Sequence, residues 1–123
     1  MDTMKPSDNE LKSLLCGFLN EPCESEVLEF KTAGNDYDFD KLGKYFSALS
    51  NEANIRSVKD AWLIFGVNDQ RKISGTKYRN DKASLGSLKY EIAQQTGGIS
   101  FREIYELEAE GKRVLMLRIP ARI

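Results

Sequence analysis

The hydrophobic positions fall into blocks whose spacing switches between helical and strand-like. Leu11, Leu14, Leu15, Phe18 and Leu19 recur at i, i+3, i+4, i+7 and i+8 behind a Ser7-x-x-Glu10 capping box. That pattern predicts an amphipathic helix of about three turns, ended by Pro22. The same spacing returns in Phe39, Leu42, Tyr45, Phe46 and Leu49 after Asp38, a natural N-cap, and predicts a second helix reaching about Asn51. Ala48 is small enough to let that helix pack closely on a sheet. A third helix is expected over residues 84–96, with Leu85, Leu88, Ile92 and Ala93 inward and Gly97-Gly98 as its C-cap.

The intervening blocks read as strands. Residues 27–31 alternate, so Leu28 and Phe30 face the core while Glu29 shares its side with Val27. Residues 61–67, Ala-Trp-Leu-Ile-Phe-Gly-Val, carry no charge and are too short to span a membrane. They predict a strand buried on both faces, the centre of a sheet, with Trp62 in the core. Gln70-Arg71-Lys72 predicts a turn into a short strand around Ile73, ended by Gly75. Residues 101–108 and 113–119 form an expected hairpin across Glu110-Gly111-Lys112, closed by Pro120. The sum is an α/β (α+β) fold, a mixed sheet flanked by three helices, with residues 1–21 as an N-terminal helix packed on a domain of residues 22–123. An N-terminal helix is also a common exchange element in dimers, which leaves a homodimer open.

Composition narrows the classes. The 123 residues, 41% hydrophobic, suffice for a single core. With no charged-then-apolar leader and no apolar stretch of bilayer length, a cytoplasmic protein without membrane contact is expected. The absence of histidine excludes His-based triads, and Cys16 and Cys23, too few for a structural zinc site, read as free thiols. Gly43-Lys44-Tyr45 and Gly111-Lys112-Arg113 lack the upstream glycine and the Ser/Thr of a phosphate loop, so no ATP site is expected here. The chain stops three residues after Pro120, which suggests a domain cut from a longer protein with C-terminal domains to follow.

Charge is distributed unevenly. Residues 1–55 hold 5 Lys/Arg against 11 Asp/Glu, and residues 56–123 hold 13 against 8. Between 71 and 89 stand Arg71, Lys72, Lys77, Arg79, Lys82 and Lys89 with Asp81 as the one acid, an excess suited to phosphate. At the carboxyl end of the central strand Gly66 admits close approach, and Asn68 and Asp69 place polar groups where open α/β sheets keep their chemistry.

Four motifs in order, Glu24-Ser25-x-x-x-Glu29-Phe30-Lys31, Phe46-Ser47-Ala48-Leu49-Ser50-Asn51, Leu63-Ile64-Phe65-Gly66-Val67-Asn68-Asp69 and Ile73-Ser74-Gly75, resemble the Schlafen AlbA_2 domain of bacterial transcriptional regulators and Schlafen proteins. The resemblance runs over residues 22–120. It implies an Alba-like fold, binding of nucleic acid, DNA first, and a following ATP-binding or helix-turn-helix portion. The Gly-Gly pair usual before the central strand is replaced here by Asp60-Ala61. Some Schlafen proteins similar in motif cut RNA with three carboxylates, which on this sequence would be Glu24, Glu29 and Asp69, with Asn68 in the nearer position.

Three functions are therefore in view. The first is a nucleic-acid-binding module of a bacterial regulator, working without cofactor, with Lys31, Arg71, Lys72, Lys77, Arg79 and Lys82 on phosphates and Tyr78 and Trp62 as nearby aromatics. The second is a nuclease in which Glu24, Glu29 and Asp69 hold Mg²⁺ or Mn²⁺ that activates water, against which Glu29 with Lys31, or Asp69 with Arg71, can form structural ion pairs. The third is a protein-interaction or dimerisation module. DNA and RNA are both open as partners.

Overall fold

The computed structural model describes residues 6–21 and 26–122. Four strands, β1 (Leu28–Lys31), β2 (Asp60–Phe65), β3 (Glu103–Ala109) and β4 (Lys112–Pro120), form one mixed sheet in the order β1-β2-β4-β3. The β1 and β2 strands run parallel, with Glu29 opposite Leu63 and Lys31 opposite Phe65. Strand β4 is antiparallel to both β2 and β3. The uncharged run is thus internal, as its composition requires.

Helices cover both faces. Helix α1 (Asp8–Leu19) starts at the Ser7 capping box, with both reciprocal bonds formed, and lays Leu11 and Leu15 on one face against Leu28, Phe30, Ile64, Val114 and Met116. Leu14 remains exposed. The Pro22 stop and Cys23 lie outside the described residues; the helix itself ends at Leu19. Helices α2 (Phe39–Ile55) and α4 (Leu88–Thr96) cover the other face, packing Leu42, Phe46, Leu49, Leu88 and Ile92 on Leu63, Phe65, Leu115 and Leu117. The two residue parities of each central strand therefore feed two separate cores, which is why 61–67 reads as continuously apolar.

Several sequence expectations shift. Helix α2 runs to Ile55 rather than Asn51, because Ala53 is buried and Glu52 pairs with Arg56 one turn on, at 3.4 Å. Ala48 is exposed, and the small residues against the core are Gly43, Ser50 and Ala53. The single helix expected over 84–96 is two: α3 (Lys82–Gly86), capped by Asp81 through Ser84 N at 2.8 Å, and α4, joined at Ser87. Gly97 closes α4 in the left-handed conformation as expected (φ 80°). The strand around Ile73 is a single bridge to Val67. Trp62 is half-exposed rather than core, stacked on Tyr105 at 6.1 Å and under the Arg118 guanidinium at 5.5 Å. Among the described residues no helix is long and apolar enough to cross a membrane.

Candidate nucleic-acid interface

Everything at the carboxyl end of β2 is organised by Gly66. Its φ of 104° is one L side chains rarely adopt, and a Cβ there would stand 3.0 Å from the Arg113 carbonyl oxygen and 3.3 Å from Gly75 C. Its N–H donates to the Lys31 carbonyl (2.8 Å), and its carbonyl accepts from the N–H groups of Ser74 (2.8 Å) and Gly75 (3.0 Å). One residue thus ties β1, β2 and the following loop together.

That loop is held at three more points. Asn68 Oδ1 accepts from the N–H groups of Gln70 (2.9 Å) and Lys72 (3.0 Å), closing a turn on its own side chain. Thr76 Oγ1 donates to the buried Ala33 carbonyl at 2.6 Å. The Arg113 guanidinium, brought alongside because β4 runs antiparallel to β2, donates to the carbonyls of Thr76 (3.1 Å), Tyr78 (2.8 Å) and Arg79 (3.0 Å), and its Nε to Glu106 at 2.6 Å. The segment 74–79 is a fixed strap across the end of the sheet.

The cations singled out from sequence separate into two groups. Arg79 is bound bidentately by Glu91 (2.7 and 2.9 Å) and donates to the Ser84 carbonyl at 2.9 Å. The same contact draws the Glu91 carboxyl down to about 2, the Arg79 hydrogen bonds acting first and Ser87 second. Arg71 lies over the Phe30 ring at 5.5 Å and donates to the Glu21 carbonyl. Lys31 stands over the Tyr45 ring at 4.6 Å and 3.6 Å from Glu29; its ammonium is held above the usual value, first by the Tyr45 hydroxyl. Lys72, Lys77 and Lys82, by contrast, are exposed and enter no ion pair among the described residues.

Sequence reasoning missed two residues at this end. Lys112, immediately after the β3–β4 turn, lies against Gly75 and donates to the Ile73 carbonyl at 3.2 Å, and Arg113 is the anchor just described. A basic pair directly after a hairpin turn was visible as Gly111-Lys112-Arg113, but only the antiparallel register to β2 brings it beside the loop. A cavity of about 320 Å³ lies here, lined by Ser74, Gly75, Thr76, Lys77, Asn80, Lys112 and Arg113, three of them cationic and none a carboxylate. Tyr78, offered from sequence as an accessible aromatic, is 2% exposed and packs edge-on to Phe65 at 5.3 Å; burial pushes its hydroxyl up. It belongs to the core.

Of the carboxylate trio, two members lie within the described residues. Glu24 lies outside the described residues, Glu29 is beside Lys31, and Asp69 is exposed in the Asn68 turn. Among the described residues no group of three or more Cys, Asp or Glu side chains converges as metal ligands would.

A mixed four-stranded sheet covered by helices on both faces, with a strapped cationic loop at one end, defines a small α+β domain whose polar chemistry sits on a rigid edge. The chain belongs to the Schlafen AlbA_2 family, whose model matches residues 24–123. Among solved structures it is similar to the N-terminal domain of a RecG-related protein from Nitrosomonas europaea, with TM-score 0.56 and 18% identity over 90% of this chain and 72% of that one. It is also similar to the DIP2311 protein from Corynebacterium diphtheriae, with TM-score 0.51 and 17% identity over 93% of this chain and 22% of that one. No curated protein matches it.

Proposed function

We propose that this domain binds nucleic acid through its phosphate backbone, as the recognition module of a bacterial regulator, with Lys72, Lys77, Lys82 and Lys112 as the contacting residues. The observation that carries the reading is that Lys72 and Lys77 ride on the turn and strap fixed by Gly66, Asn68 and Arg113, that Lys82 opens α3 just beyond the strap and Lys112 opens β4 beside it, and that none of the four enters an ion pair among the described residues. Ammonium groups on a rigid edge neutralise phosphates while releasing counterions, so association is favourable at low salt and carries little base preference. Membership of the AlbA_2 family supports it, as does likeness in fold to a domain of a protein named for an ATP-dependent DNA helicase.

Fluorescence anisotropy with labelled duplex and single strands at two salt concentrations tests this. Binding should weaken steeply with salt, and the double substitution Lys77→Glu/Lys112→Glu should reduce affinity at least tenfold while leaving Tm nearly unchanged. An affinity indifferent to salt, or to this reversal, sinks the proposal.

A further inference from the structure

A second cavity, of about 420 Å³, adjoins the cationic one and has the opposite character. It lies between α3, the start of α4 and the edge strand β3, with Leu85 and Ile104 as apolar lining and Lys82, Lys89 and the carboxylates of Asp81, Glu103 and Glu106 around them. The two cavities share Asn80, and Glu106 of the second is paired with Arg113 of the first. With three carboxylates against Lys82 and Lys89, and Lys89 paired to Glu103 at 3.0 Å, this cleft is a poorer place for a phosphate than its neighbour, which has three cations and no acid. A polynucleotide laid here has one way to satisfy both: phosphate between Lys77 and Lys112, and the neutral part of the same nucleotide in the acidic, apolar-lined cleft.

We propose that this cleft receives one unstacked base of a single-stranded nucleic acid, read by Asn80 and Glu106. The inference rests on the nucleic-acid reading above and adds a strand preference to it, since a base paired within a duplex cannot turn into a cavity while its phosphate stays on the edge. Glu106 uses Oε2 for Arg113, and its Oε1 takes no bond among the described residues. A free carboxylate oxygen accepts from an exocyclic amine, so bases bearing an amino group are favoured over thymine or uracil. Asn80 is exposed at the junction and offers both a donor and an acceptor.

Gly86 provides the test. It lines the cleft, lies on a helix, and a Cβ there meets nothing within 4 Å, so Gly86→Leu adds bulk at the wall of the cleft without disturbing the core. Labelled oligo(dC), oligo(dT) and a duplex of equal length are titrated against the parent and this variant, with Tm measured for both. The parent should bind oligo(dC) roughly tenfold more tightly than oligo(dT) or the duplex, and Gly86→Leu should remove that advantage while leaving duplex affinity as it was. Asn80→Ala should reduce the oligo(dC) advantage in part. If the folded Gly86→Leu protein binds oligo(dC) as the parent does, or the parent does not distinguish oligo(dC) from the duplex, the inference is overturned while duplex binding still supports the wider reading. Absence of binding to all three probes overturns both.

Discussion

The two ends of the sheet carry similar positive charge and use it in opposite ways. At the amino end of β2, Asp60, whose side chain is 8% exposed, accepts from Arg102 at 2.6 Å and Arg118 at 2.9 Å, and these bonds join β2 to β4 and to the approach of β3. At the carboxyl end, Lys72, Lys77 and Lys82 enter no ion pair among the described residues, and Lys112 donates to the Ile73 carbonyl. The arginines with planar forks are spent on the fold: Arg113 on three carbonyls, Arg79 on Glu91, Arg118 on Asp60. The lysines, compact charges on flexible stems, face outward. Charge counted along the chain does not distinguish these ends; the carboxylates beside each cation do.

The largest effect should come from breaking the frame that presents the lysines. Gly66→Val places a β-branched side chain at φ 104° and 3.0 Å from a carbonyl oxygen, and should destabilise the domain by about 3 kcal/mol or more. Chemical denaturation should show the lowered midpoint, and a midpoint equal to the parent's would mean the strap is not anchored as described. Next in size is Asp60→Ala at the opposite end, which leaves two half-exposed guanidinium groups without their shared acceptor and should cost about 2 kcal/mol. Its affinity for nucleic acid, compared at a temperature where both proteins are folded, should stay within a factor of two of the parent's. A larger loss would show that the two ends do not act separately.

Much of the fold could be read from the sequence alone. Period and capping placed α1, α2 and β2, since Ser7, Asp38 and the uncharged run act through neighbours only a few residues away. The resemblance to AlbA_2 was legible for the same reason, its motifs being short runs of neighbouring residues. What could not be read was which cations are spoken for. Arg79 and Glu91 are twelve residues apart, and Arg113 and the Thr76 carbonyl thirty-seven, so their pairing depends on register and helix placement that no local pattern encodes. The break at Ser87 escaped for a related reason: Asp81 caps a five-residue helix that the apolar spacing of Leu85, Leu88 and Ile92 runs straight through. Trp62 proved less buried than its run suggests because alternation within a strand says which residues share a face, not how far a covering helix extends over it, and the burial of Tyr78, outside any strand or helix, had no local pattern to announce it.

The smallest expected effect lies where the two kinds of cation meet, at Arg79, the last residue of the strap and the first clamped to α4. Glu91 binds it with both oxygens and also accepts from Ser87 Oγ at 2.7 Å, which brings its carboxyl to about 2 from an ordinary 4.5. A lowered carboxyl means that the folded state favours the charged form, so the stabilisation is complete above about pH 4.5 and fades as pH falls through about 2. Glu91→Gln removes the charge at every pH and keeps the shape. The parent should therefore exceed the variant in Tm by a constant, modest margin from neutral pH down to about 4.5, and the two curves should converge towards pH 2. The margin is small because the Glu91 side chain is 38% exposed and solvent screens the pair. Because Arg79 is occupied in the folded state, releasing it adds one unpaired cation beside Lys77, and salt-dependent binding by Glu91→Gln should rise slightly rather than fall. A fall would mean that the strap's position, and not its charge, limits affinity.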